Sequence, residues 1–157
     1  MNSSKTLLAA IAVLAIGAFG ATSALSQDKE AQVKTRQDTM KRMSADMKVI
    51  KTYGEGAGEE AKAVAAATDI VETLKKLPDL FPKGTGMAEF PGKSGAKPAI
   101  WTEWDKFLAE QKNVVGQAEL LLAAVKRGDK AVAASGPTSL WDNGCQGCHK
   151  PFREKLS

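Results

Sequence analysis

The sequence predicts an all-α fold, an antiparallel four-helix bundle with a long loop between its second and third helices. Three observations predict it. Apolar residues recur at spacings of three and four along several long stretches of the chain. No stretch alternates β-branched and polar residues between Asn-Gly type turns, as strands would require. A Pro- and Gly-rich connector over residues 78–99 separates the helices into two pairs. The 157 residues carry 43% hydrophobic and 25% charged side chains. Those proportions fit one ordinary globular domain and exclude a disordered chain, a collagen-like repeat and a multi-span membrane protein.

Residues 1–26 read as a secretory leader. Lys5 supplies a positive start, Leu7 to Phe19 an apolar run too short to span a bilayer, and Ala24-Leu25-Ser26 a small-x-small cleavage site. The expected mature domain is 27–157. Removing the leader takes away one basic residue, Lys5, and no acid. The net charge then falls from +4 to +3 over 131 residues. Without a Lys/Arg block, this small excess does not point to nucleic acid. Export places the chain in an oxidising compartment, the periplasm, with no stable membrane insertion once the leader is gone.

The first helix is expected over residues 29–52. Val33, Met40, Met43, Met47 and Ile50 form its apolar stripe, and Gly54, Gly56 and Gly58 end it. The second is expected over 59–77. Glu59 and Glu60 suit its positive end, and Ala61, Val64, Thr68, Val71 and Leu74 form its buried line. The connector follows, with Pro78, Pro82, Pro91 and Pro98 among its glycines. A link of that length inside a compact domain is uncommon and often functional. A third helix is expected over 99–127, burying Trp104, Phe107, Leu108, Val115, Ala118, Leu122 and Val125 before Gly128 stops it. Asp129 is placed to cap a short helix over 129–135. Gly136-Pro137 is expected to break it before a last helix from Thr138 towards Lys155. Aromatics make up only 6% of the chain, so the core is thin unless something large and apolar fills it.

Both cysteines and the single histidine lie within five residues, Cys145-Gln146-Gly147-Cys148-His149. Cys-x-x-Cys-His is the pattern of covalent c-type haem attachment. Thiols three apart share one side of a helical turn. Both can then form thioethers with the two vinyl groups on one porphyrin edge, and the adjacent imidazole reaches the iron. Three other uses of these residues fit less well. A thioredoxin-like pair normally follows a strand, and no strand is predicted. A structural zinc site takes four ligands, and only three are present. A plain disulfide leaves His149 without a role. The motif therefore predicts one haem c, attached through Cys145 and Cys148 near the C-terminal helix.

With this motif nine residues from the C-terminus, the chain resembles the class II c-type cytochromes. These comprise cytochrome c′ and its low-spin relatives of the cytochrome c-556 type. The C-terminal element appears as Cys145 to Arg153. The Arg-Gln-x-x-Met element appears as Arg36-Gln37-Asp38-Thr39-Met40. The loop resembles the family's over Leu80-Phe81-Pro82-Lys83-Gly84-Thr85, and the third-helix opening over Pro98 to Trp104. The resemblance covers most of the mature chain and itself implies a four-helix bundle.

The same resemblance implies residue roles. His149 is the proximal iron ligand, and Met40 lies over the opposite haem face. Arg36 is placed to meet a propionate, Gln37 lies at the haem edge, and Arg153 lies near the proximal side. Spacing alone does not choose among Met40, Met43 and Met47, because a Met stripe is as readily core. Phe81 and Thr85 are read as haem-edge cover, and Trp101, Trp104, Phe107 and Phe152 as packing. Pro151 removes a backbone donor just past His149, so a bend or fraying is expected there.

The sixth iron position separates two functions. With Met40 sulfur on iron, the site is closed and low-spin, which suits an electron carrier. With Met40 only a cover, iron is five-coordinate and open to NO or CO. One histidine excludes bis-histidine ligation within the chain. No distal histidine or catalytic acid points to an enzyme. Partners are expected to be redox proteins met through transient contacts. The resemblance also allows a homodimer through the first two helices, with the Ala-rich 61–67 stretch as a close-packing face.

Overall fold

The computed structural model describes residues 19–156, with side chains described from residue 28. The expected leader over 1–26 therefore falls mostly outside the described residues. Helix α1 runs Phe19–Gly54, ten residues further towards the N-terminus than the stripe suggested. It buries Val33, Arg36, Met43, Ile50 and Tyr53. Gly54 closes it at a close crossing: a Cβ there would lie 2.1 Å from the Ala134 backbone nitrogen.

Helix α2 spans Glu60–Lys75, and a 3₁₀ turn with Pro78 near its start follows over Leu77–Leu80. The buried line of α2 is Ala63, Ala66, Ala67, Ile70, Val71, Thr73 and Leu74. This corrects the expected line. Ala61 and Thr68 are exposed, and Thr68 Oγ1 donates back to the Val64 carbonyl. The small Ala63, Ala66 and Ala67 are spent inside the bundle, so they are not a free face for a second subunit.

The expected third helix is two pieces, a single turn α3 at Ala99–Thr102 and the long α4 at Trp104–Lys126. The chain kinks at Glu103, where φ is −122° and ψ is 43°. The kink lets Ile100 and Phe107 join one apolar cluster with Ala96 and Phe152. The buried face of α4 is Phe107, Gln111, Val114, Ala118, Leu121, Ala124 and Val125. Leu108, Val115 and Leu122 are only half-buried at its flanks. Gly128 turns the chain with φ 73°, as its position at the helix end predicted.

Helix α5 runs Lys130–Leu140, and the Asp129 side chain accepts from the Val132 amide at 3.0 Å, the predicted cap. The expected break at Gly136-Pro137 does not occur. The helix continues through both residues because its buried side, Ala133, Pro137 and Leu140, is held in the bundle. Tertiary packing here outweighs the lost backbone bond. One π-turn, Trp141–Cys145, then leads into α6, Gln146–Phe152. Helix α6 ends one residue past Pro151. Residue Arg153 is extended and pairs with Ala96 in an isolated antiparallel bridge.

Helix α1 packs on α2 and α5, and α4 packs on the same two, closing a ring of four helices. Short turns link α1 to α2 and α4 to α5, so neighbours run antiparallel. The α2-to-α4 connection crosses the end of the bundle and sets one wall of the site.

Candidate functional site

A cavity of about 580 Å³ opens at the C-terminal end of the bundle, within the range of small-molecule and cofactor sites. Its lining is mainly apolar. Helix α1 contributes Arg36, Gln37, Met40, Met43 and Met47. The segment from the π-turn to α6 contributes Trp141, Cys145, Cys148 and His149. The sequence thus identified residues that the fold does bring together, although Met40 and His149 are more than a hundred positions apart.

Two glycines let the thiol-bearing turn sit close against α4. A Cβ on Gly144 would lie 2.9 Å from Val114 Cγ2, and one on Gly147 would lie 2.2 Å from Glu110 Oε2. Cys145 and Cys148 are both free thiols. Burial pushes the Cys145 thiol up to about 11. Burial, then the nearby Glu110 carboxylate and Cys145, pushes Cys148 up to about 12. Neither is set up as the exposed thiolate of a redox catalyst.

Burial also holds the His149 imidazole down at about 4, with the Arg153 charge adding to the effect. It is neutral over the ordinary pH range, the form that donates a lone pair to a metal. The Trp141 indole stands edge-on to this ring, with centroids 5.2 Å apart and planes at 73°. Sequence reasoning missed Trp141, whose only signal was its position four residues before Cys145. Arg153 is exposed beside the ring, its Nη1 3.5 Å from His149 Nδ1, too long a contact to fix the tautomer.

On the α1 side the three methionines all reach the cavity, Met43 buried and Met40 and Met47 half-buried. Gln37 lines the cavity and donates from Nε2 to the Lys93 carbonyl at 2.6 Å. Arg36 is buried, and all four terminal N–H donors go to the loop: Leu80 O, Thr85 Oγ1, Thr85 O and Ser94 Oγ. Only its Nε–H is left for a propionate. Phe81 lines the cavity as expected. Thr85 is fully buried inside the loop and is not among the lining residues, which corrects its reading as edge cover.

The donor set fits a c-type haem. Two thiols three residues apart and the adjacent neutral imidazole face an apolar space, with thioether sulfurs supplied by a second element. Among the described residues, no group of three or more His, Cys, Asp or Glu side chains forms an alternative metal site.

An all-helical bundle presenting this turn to such a cavity defines the class of c-type haem proteins. The family model described as Cytochrome C' matches residues 31–153, and the chain belongs to that family. A cytochrome c' from Pararhodospirillum photometricum is 34% identical over 132 residues, covering 80% of this chain and 98% of the relative. A structural model of oxidised R. palustris cytochrome c556 superposes with a TM-score of 0.64 at 30% identity, covering 80% of this chain and 98% of that one. A cytochrome c' structure described as having ligand-controlled dimer dissociation superposes with a TM-score of 0.69 at 26% identity, covering 81% and 97%. The cofactor of the family is covalently bound haem c, and this chain provides its two cysteines near the C-terminus.

Proposed function

We propose that this chain is an exported, periplasmic, monohaem electron carrier. In this reading Cys145 and Cys148 hold the haem, and His149 and Met40 ligate its iron. The bound group supplies a one-electron Fe(III)/Fe(II) couple, and thioether ligation raises its potential. The observation that carries the reading is one apolar cavity taking Met40 from α1 and His149 from α6. The protein's own contribution is to keep the imidazole neutral, exclude water and fix both ligands on packed helices. That limits rearrangement between oxidation states.

Partners in this reading are redox proteins engaged by transient, charge-steered contacts. A homodimer is compatible with the family, but it has to use residues of α1 and α2 other than Ala63, Ala66 and Ala67.

The test is absorption spectroscopy of purified holoprotein. The ferric form should show six-coordinate low-spin lines and a Met-to-Fe(III) charge-transfer band, both lost in Met40→Ala. A high-spin ferric spectrum in the wild-type protein contradicts the reading. It supports instead a five-coordinate binder of NO or CO in which Met40 only covers the iron.

A further inference from the structure

Arg36 is 6% exposed, and among the described residues no carboxylate lies within ion-pair distance of it. Its charge is met by neutral oxygens instead. Nη1 donates to Leu80 O at 3.1 Å and Thr85 Oγ1 at 3.2 Å. Nη2 donates to Thr85 O at 3.0 Å and Ser94 Oγ at 2.9 Å. The guanidinium also stands 4.6 Å over the Phe81 ring. Thr85 and Ser94 are saturated in turn: Thr85 Oγ1 donates to Pro82 O, and Ser94 Oγ donates to Thr85 O and accepts from the Ala96 amide.

The loop so fastened continues into the segment beyond His149. The Met87 amide donates to Ala96 O at 2.8 Å. The Lys97 amide donates to Phe152 O at 3.0 Å, and the Glu154 amide to Gly95 O at 2.7 Å. Gly95 has to be glycine for that approach, because a Cβ there would lie 2.3 Å from Glu154 O. An aromatic path runs in parallel: Phe81 meets Phe107 edge-on at 5.0 Å, and Phe107 meets Phe152 at 5.5 Å. Arg36 lies one turn before Met40, and Phe152 three residues after His149.

We infer that Arg36 is a positioning residue: it clamps the 81–97 loop to α1 and, through that loop, ties the distal segment carrying Met40 to the proximal segment carrying His149. This adds to the propionate role the resemblance implied: the terminal nitrogens fasten the loop, and the Nε–H is left for a carboxylate. A buried cation held by four neutral acceptors is also costly to leave partly satisfied, which holds the loop against α1.

The ligand assignment above underlies the spectral arm of the test and not the exchange arm. The test compares wild-type holoprotein with Arg36→Met, Arg36→Lys and the double variant Thr85→Val/Ser94→Ala, which keeps Arg36 and removes side-chain hydroxyl acceptors. Hydrogen exchange is followed in residues 85–97 and 150–156. Arg36→Met and the double variant should each speed exchange about tenfold in both segments, while α2 and α5 keep their protection. Arg36→Lys should fall between. The ferric spectrum of Arg36→Met should gain a high-spin component as Met40 loses its fixed place. Unchanged exchange at 150–156 in Arg36→Met, or a silent double variant, overturns the clamp. If Arg36→Met does not fold, the double variant decides alone. A wild-type protein already high-spin refutes Met40 ligation but leaves the exchange comparison to judge the clamp.

Discussion

Gln111 shows how far a single buried polar side chain reaches. It sits on the inner face of α4 and donates from Nε2 to the Leu74 carbonyl at 2.8 Å, satisfying an acceptor at the C-terminal end of α2. Gln111→Leu keeps the volume and strands that acceptor, so it should lower stability by about 1–3 kcal/mol in denaturant unfolding. An unchanged midpoint would show that water replaces the amide. Nothing in the sequence marks Gln111, since a glutamine amid an apolar stripe reads as a flank. The same holds for Ser94, whose bond to Arg36 spans 58 residues, while Thr85 was singled out as edge cover and not as the Arg36 partner it is across 49 residues. Cys145, Cys148 and His149, by contrast, are legible because their chemistry is local and the spacing itself carries it. Met40 is intermediate: its reach into the cavity follows from the stripe, but Met43 and Met47 reach it too, so only the family resemblance singles it out.

At the scale of elements, crossings decide what glycine is for. Gly54 lets α1 cross the start of α5 at backbone contact. Gly116, inside α4, has open space where a side chain would begin: apart from its own stretch of helix, no atom lies within 4 Å of the point a Cβ would occupy. Gly54→Ala should therefore destabilise by about 3 kcal/mol or more through overpacking. Gly116→Ala should stabilise by about 0.5–1 kcal/mol by removing backbone freedom. Thermal melts of the two variants should move in opposite directions, and parallel shifts would refute the crossing geometry.

The α1–α2 seam holds a second test. Asp46 faces Asp69, which Arg42 approaches from Nε at 2.9 Å. Burial, then a hydrogen bond and repulsion from Asp69, raises the Asp46 carboxyl to about 6, against a small opposing pull from Arg42. The folded chain thus keeps a proton that the unfolded chain has released, and stability falls as pH climbs from about 4 to about 6. With the pair partly solvated, the effect is on the order of 1 kcal/mol. Asp46→Asn should melt above wild type at pH 7 and lose that slope; an equal slope in both proteins would show that Asp46 does not hold the proton.

The stretches that form the bundle and the helix ends at Gly54 and Gly128 were legible because period and glycine stops are local signals. The continuation through Gly136-Pro137 and the kink at Glu103 were not. In both places, packing against a distant element overrides the local preference: Leu121 beside Gly136, and Phe152 beside Phe107.

For the whole molecule, the aromatic-poor composition and the cavity have one explanation. A bundle rich in alanine closes most of its length by direct helix contact, and the end lined by Met40, Phe81, Trp141 and His149 keeps an apolar cavity of about 580 Å³ for the haem of the family. No helix among the described residues is long and apolar enough to cross a membrane. Most of this scale was readable in advance, because one short motif near the chain end and the placement of the long connector fix where the cavity must be. The interdependence of the two haem faces was not, since it arises only when the loop meets both.

Covalent attachment of haem is tested most directly by the intact mass of the protein after export in a host with cytochrome c maturation, measured under denaturing conditions. We expect one species equal to residues 27–157 plus a single haem that unfolding does not release. A mass matching bare polypeptide, with the colour left behind in solution or absent, would contradict it.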